Sequence, residues 1–191
     1  MDRENLAALD AFVLARMQET QLPGLALSLV SSGTECDHRV FGFRDIETRR
    51  SVTPRTLFGL GSITKVFTAL AIFQLCDRGL LDLDDRIDKW LDIDLEPRGE
   101  PIRVWHLLSH TSGIPALGFS ESKMSDEWFM SGLPIATEAD LLAFLQGADA
   151  WAVSPPGARW FYLNEGYLLL GRLIAQRAGQ SYTTYVEQHI L

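Results

Sequence analysis

Cysteine is scarce, basic residues are outnumbered, and long apolar runs are missing; each absence removes a class of protein. Cys36 and Cys76 are the only two cysteines, without the count or spacing of a disulfide framework or a zinc site, so a reducing, cytoplasmic compartment is expected. Lysine and arginine number 17 against 25 aspartates and glutamates, a net charge of -8. The cations are scattered, so no basic stripe exists to neutralise a phosphate backbone, and nucleic acid is not an expected partner. No stretch reaches the roughly 18 uninterrupted apolar residues of a membrane span. Residues 1–20 alternate acidic and apolar side chains at helical spacing, with no basic start leading into an apolar run, so neither a signal peptide nor a membrane partner is expected. Gly59-Leu60-Gly61 lacks the later glycines and the lysine spacing of a nucleotide-binding loop.

What is present is a globular composition, 47% hydrophobic and 22% charged, sufficient for one domain or part of a larger one. Leu6, Leu9, Phe12, Val13 and Met17 mark an amphipathic helix over about 4–19. Leu25 to Val30 and His38 to Phe43, separated by Ser31-Ser32-Gly33-Thr34, read as a β-hairpin. Ile63 to Asp77 is apolar on nearly every side and predicts a buried helix, with Gly79 as its C-terminal stop. Shorter helices are expected over 82–91 and 102–109, a loop-rich excursion over 112–131, and a helix over 138–146. Pro155-Pro156-Gly157 forces a turn, and Tyr167 to Ala178 supplies a last helix ending at Gly179. A lone hairpin leaves an edge and a face uncovered, so it is expected to join strands that this chain does not contain.

The chemistry centres on Ser62-Ile63-Thr64-Lys65. Ser-x-x-Lys is a loose pattern, and Ser120-Glu121-Ser122-Lys123 matches it too, but in a polar stretch with no helix to fix its geometry. Ser62 instead follows Gly59-Leu60-Gly61 and opens a helix, where backbone N–H groups and the helix dipole favour an oxyanion. Lys65 returns to the same face one turn later. Its neighbours Val66, Phe67, Ala69 and Leu70 bury it or nearly so, and desolvation lowers a lysine's pKa, which suits it to activate a serine hydroxyl. The competing account is a helix-capping Ser62 and a Lys65 that reaches solvent along its stem. Further on, Tyr162 and Asn164 stand two apart in an extended segment and point to one side. Tyr162 could exchange protons near Lys65, and Asn164 could donate to a substrate carbonyl or to Lys65; alternatively the segment is an aromatic core with Asn164 capping the next helix.

Pro23-Gly24-Leu25-Ala26, the Phe58 to Lys65 segment, Gly79-Leu80-Leu81-Asp82-Leu83-Asp84-Asp85, Leu107-Leu108-Ser109-His110-Thr111-Ser112-Gly113 and the Tyr162 to Tyr167 segment occur in this order. Together they resemble the serine β-lactamase and penicillin-binding-protein superfamily, closest to its class C-like branch of esterases, D-amino-acid peptidases and β-lactamases. The resemblance runs from about Pro23 to the C-terminus. It implies Ser62 as the acylated nucleophile, Lys65 as its proton partner, Tyr162 as general base and Asn164 as a substrate and network residue, with the choice of base between Lys65 and Tyr162 open. Leu163 replaces a usually small residue, which predicts a narrower site. The family's third motif, Lys-Thr-Gly or His-x-Gly on a strand lining the site, has no counterpart after Tyr167.

His106 and His110, four apart on an expected helix, lack a third ligand, so no metal and no cofactor are expected. Asp82, Asp84, Asp85 and Asp88 form a solvated, helix-capping face, because Ile87 stands where a calcium loop needs glycine. The expected architecture is therefore α+β, β-lactamase/transpeptidase-like. Residues 1–60 would give the terminal helix and first hairpin of the α/β part, and 61–191 most of the helical subdomain. The expected activity is a serine hydrolase working through an acyl-enzyme on an ester or amide, as a carboxylesterase or small-peptide peptidase, with β-lactam turnover as an alternative. Two other readings are a noncatalytic binding or assembly protein of the same fold, and one piece of a split enzyme whose second chain supplies the remaining strands.

Overall fold

The computed structural model describes residues 3–31, 35–116 and 138–191; the Ser120/Lys123 pattern and most of the 112–131 excursion lie outside the described residues. The chain divides into two compact units, Met1–Gly59 and Leu60–Leu191.

The first unit contains helix α1 (Arg3–Thr20) and strands β1 (Gly24–Ser31), β2 (Glu35–Asp45) and β3 (Arg50–Ser51), in an antiparallel sheet of order β1-β2-β3. The expected hairpin is present, in a register that sets Gly24 opposite Gly42 and Val30 opposite Cys36. The short β3 was not expected from the sequence: two residues carry no periodicity, and what pairs them is a bulge between Phe43 and Asp45 and an Asp45 carboxylate that accepts the Thr48 N–H at 3.0 Å. Among this unit's described hydrophobic residues only Val13, Met17 and Val52 are buried. So small a core matches a sheet that lacks covering layers.

In the second unit a 3₁₀ turn, Gly61–Ile63, leads into α2 (Thr64–Asp77). The remaining described helices are α3 (Val104–Leu108), α4 (Glu138–Leu145), α5 (Asn164–Ala178) and α6 (Tyr182–His189). The core joins Ala71, Ile72 and Leu75 of α2 to Leu169, Leu170, Leu173 and Ile174 of α5, Tyr185 of α6, and Ile87, Ile102, Val104 and Leu107. Thr68 and Tyr182 hydroxyls meet at 2.8 Å, and Tyr185 donates to the Gln74 amide oxygen at 3.2 Å. The α2–α6 contact is thus tied by polar groups as well as by apolar area.

Three expectations are corrected here. Helix α2 is not buried all round: Thr68, Ala71, Ile72 and Leu75 face the core, whereas Ile63, Val66 (67% exposed), Leu70 and Phe73 form an exposed apolar stripe. The 82–91 segment is no helix beyond a 3₁₀ turn at Ile87–Lys89. Its backbone groups pair across the chain instead of four residues along it: Ile87 donates to the Ile102 carbonyl, while the Leu83 and Asp85 carbonyls accept from Trp105 and Val104. Helix α6 was missed, although Gly179 ends α5 at φ 67° and Ser181 caps α6 by accepting the Thr184 N–H at 3.1 Å.

His106, in α3, is buried, and its Nδ1 accepts the Arg103 N–H at 2.9 Å in a capping box. Burial first, then the nearby Arg103 charge, pushes its pKa down from 6.5 to about 4. A lowered folded pKa means that the unfolded chain takes up a proton the native ring refuses, so this contribution to stability is complete above pH 6.5 and is lost as pH falls toward 4. Circular-dichroism melts should show the melting temperature dropping across that window, and His106→Asn, which keeps an acceptor for Arg103 but does not titrate, should flatten that part of the drop.

Candidate active site

The site assembles from two segments of the second unit. The first is the turn into α2. Ser62 lies in the 3₁₀ turn rather than at the first residue of the α-helix, with its side chain exposed, and neither helical start has a side-chain cap. Ser62 is therefore no helix cap; its oxygen is committed elsewhere. Lys65 is half-buried rather than fully buried, and its Nζ donates to Ser62 Oγ at 3.2 Å and to Asn164 Oδ1 at 2.7 Å.

The second segment carries Tyr162 and Asn164. Residues 153–163 are laced to 110–113: Val153 N–H donates to the Gly113 carbonyl at 3.0 Å, Gly157 N–H to Thr111 at 2.7 Å, and Phe161 N–H to His110 at 2.8 Å. Gly113 is required, because at φ 84° a Cβ would stand 2.2 Å from the Ser154 carbonyl oxygen. This lacing leaves Tyr162 extended, with its hydroxyl 2.5 Å from Ser62 Oγ. Since Lys65 donates to Ser62, the serine's own proton is free to point at the tyrosine oxygen. Asn164 is the first residue of α5, whose N-cap is Leu163 without a side-chain cap bond.

All four residues singled out in the sequence, Ser62, Lys65, Tyr162 and Asn164, thus meet in one hydrogen-bonded group. Leu163, expected to narrow the site, instead turns into the hydrophobic core, 3% exposed. His106 and His110 do not share a helix face: α3 ends at Leu108, and His110 sits beyond it at φ 58°. Each ring gives Nδ1 to a backbone N–H, His106 to Arg103 and His110 to Leu163. Two contributors went unassigned in the sequence. Tyr167 places its ring 5.4 Å from Lys65 Nζ, opposite Tyr162 at 4.7 Å, and His110 stacks on both tyrosines. The Leu107 to Gly113 motif marked the second of these without indicating what the ring does.

The electrostatics make Tyr162 more acidic than an ordinary phenol. Burial raises the Tyr162 pKa, but the hydrogen bonds with Lys65 and Ser62 and the positive charge of Lys65 together outweigh it, so the phenol titrates below its usual 10.0. Tyr167 moves the other way, raised by burial and by Tyr162, and its hydroxyl donates to the Leu108 carbonyl at 2.9 Å. Of the two tyrosines beside Lys65, only Tyr162 is shifted toward giving up its proton, which is what an oxygen must do before it can take one from Ser62.

A serine, a lysine one turn behind it and a tyrosine on a facing segment, carried by such a helical unit in a chain that also contains a small antiparallel sheet, define a β-lactamase/transpeptidase-like α+β protein. The chain belongs to the beta-lactamase family, whose model matches residues 9–191. It is 33% identical over 157 residues to a penicillin-binding protein of Bacillus subtilis, covering 80% of this chain and 32% of that one. It is 30% identical over 186 residues to protein flp of Staphylococcus aureus, covering 96% and 36%. The octameric penicillin-binding protein homologue from Pyrococcus abyssi superposes with a TM-score of 0.90 at 43% identity, over 100% of this chain and 42% of that chain. A class C beta-lactamase from Rhodobacter sphaeroides gives 0.71 at 26% identity, over 95% and 47%. The chain thus spans about a third of the length of the curated relatives it matches. Among the described residues no helix is long and apolar enough to cross a membrane.

Removing the Lys65 charge and hydrogen bond should release Tyr162 from its lowered pKa. In a spectrophotometric tyrosinate titration referenced to Tyr162→Phe, Lys65→Met should move the Tyr162 midpoint upward, because burial is then opposed only by the Ser62 hydrogen bond.

Proposed function

We propose that this chain carries the nucleophile half of a serine hydrolase that works through an acyl-enzyme, on esters or small-peptide amides, with β-lactams as slower substrates. One observation carries the proposal: Ser62 Oγ lies within hydrogen-bond reach of both the Tyr162 oxygen and Lys65 Nζ, while Asn164 Oδ1 holds the lysine from its other side. Ser62 attacks the substrate carbonyl carbon and its proton passes to the Tyr162 oxygen. The tetrahedral intermediate expels the alcohol or amine, which takes that proton from Tyr162. Water then attacks the acyl carbon, giving its proton to Tyr162, and the acid leaves as Ser62 recovers a proton. Lys65 lowers the Tyr162 pKa, which makes the deprotonated oxygen that takes the serine proton easier to reach, and it lowers the cost of the developing charge; Asn164 fixes the lysine and offers its amide N–H to the substrate. A free Cys76 thiol, and no disulfide-framework spacing, support a cytoplasmic setting and therefore intracellular esters and peptides as substrates.

The exposed stripe of Ile63, Val66, Leu70 and Phe73 favours a second element of this reading. A working enzyme would cover it, with a further segment or a second chain packed on that side of α2 and lining the site. A noncatalytic role for the same fold is the rival, and acylation decides between them.

Intact-mass spectrometry before and after exposure to a p-nitrophenyl ester or a penicillin should show one added acyl group, mapped by peptide sequencing to Ser62. Ser62→Ala and Tyr162→Phe should lose it, by about 10³-fold or more in rate for the serine, and Lys65→Met should lose it while remaining folded. Equal labelling of the parent and Ser62→Ala would remove the assignment. Full activity from an isolated monomer of this chain would remove the second element.

A further inference from the structure

We propose that His110 is a positioning residue for Tyr162, gripping the backbone on both sides of the tyrosine so that its hydroxyl is held at Ser62 and Lys65. The inference rests on the proton-transfer role proposed for Tyr162.

The grip has two hands on one residue. The His110 carbonyl accepts the Phe161 N–H at 2.8 Å, and its ring Nδ1 accepts the Leu163 N–H at 3.1 Å. Tyr162 lies between the two anchored amides. The same imidazole covers the Tyr162 ring with centroids 4.4 Å apart and planes inclined 32°, and the Tyr167 ring at 5.1 Å and 34°. Trp160 closes the stack edge-on at 6.1 Å. Both amides and the ring tilt are therefore set from one position, leaving the phenol little freedom to swing from the serine.

Two features separate this from ordinary packing. His110 adopts φ 58°, a left-handed conformation that costs a non-glycine residue about 1 kcal/mol or more and persists where surroundings over-determine it. In this conformation both the His110 carbonyl and its ring reach the segment that carries Tyr162. The second feature is the tautomer. A backbone N–H can only donate, so Nδ1 is the acceptor and the neutral ring carries its proton on Nε2. Protonation of Nδ1 would cancel the bond to Leu163 and set a cation beside Lys65.

The titratable groups facing the ring are Lys65 of α2, Tyr162, and Tyr167 of α5. Burial, then the Lys65 charge, keeps the His110 pKa below its ordinary 6.5. The grip is accordingly intact at neutral pH and is released only on acidification through that lowered value.

The test compares His110→Gly, which accepts the positive φ but has no ring acceptor, with His110→Asn, which accepts the φ and puts Oδ1 close to where Nδ1 stood. Tyr162 ionisation is read by NMR of ¹³Cζ-labelled tyrosine, assigned with Tyr162→Phe, and acylation by burst kinetics with a p-nitrophenyl ester. His110→Gly should raise the Tyr162 pKa toward the free phenol and slow acylation about 10- to 100-fold with KM nearly unchanged. His110→Asn should restore most of both. A Tyr162 titration in His110→Gly that matches the parent overturns the proposal, as does a His110→Asn that behaves like His110→Gly.

Should His110→Gly not fold, the parent decides. ¹⁵N spectra should show an Nε2–H tautomer at pH 7, and acidification should move the His110 ring, the Leu163 amide and the Tyr162 ring signals with one midpoint. An Nδ1–H tautomer, or independent movement, overturns it. If the parent forms no adduct at Ser62, the hydrolase reading falls while the Tyr162 titration still decides the role of His110.

Discussion

The placement of one ammonium group organises the second unit. Lys65 cannot leave water without partners, and its half-buried Nζ has four: the Ser62 oxygen, the Asn164 amide oxygen and the faces of Tyr162 and Tyr167. Each comes from a segment that must be fixed independently. The turn into α2 supplies the serine, α5 supplies Asn164 and Tyr167, and the strand-like stretch before α5 supplies Tyr162. The core between α2 and α5 is what holds these origins at constant separation.

The lysine in turn defines the chemistry of its neighbours. It donates to the serine oxygen, which frees the serine proton for the tyrosine, and its charge and hydrogen bond, together with the Ser62 hydrogen bond, outweigh the effect of burial on the Tyr162 phenol. Tyr167, whose ring also faces the ammonium but whose hydroxyl donates to the Leu108 carbonyl, is pushed the opposite way by burial and by Tyr162. Two tyrosines beside one cation thus differ because one hydroxyl faces Lys65 and Ser62 and the other faces a carbonyl.

Hydrophobic area is distributed unevenly. The core face of α2 carries its buried Ala71, Ile72 and Leu75, and the opposite side leaves Ile63, Val66, Leu70 and Phe73 in solvent. The first unit buries three hydrophobic residues among those described. The chain spans about a third of its curated relatives' length, and an apolar face of this kind gains free energy from any layer that covers it.

Helices α1, α2 and α5, the β1-β2 hairpin and the four residues Ser62, Lys65, Tyr162 and Asn164 were legible in the sequence. Apolar periodicity, glycine stops and the spacing of short motifs are properties of neighbouring residues, which a linear reading contains. The 82–91 segment was misread because its Leu83 and Asp85 carbonyls pair with Trp105 and Val104, residues about twenty positions further on, rather than with the next turn. Strand β3 escaped because two residues have no period. What only the tertiary structure decided was the use of each partner across long separations: Ser62 with Tyr162, Lys65 with Asn164 rather than solvent, Leu163 into the core, and His110 as a grip on the Tyr162 segment instead of half of a helical histidine pair. Sequence spacing can set which atoms share a helix face, but a hydrogen bond between residues 100 positions apart depends on how the core fixes two backbones in space, and no local pattern encodes that distance.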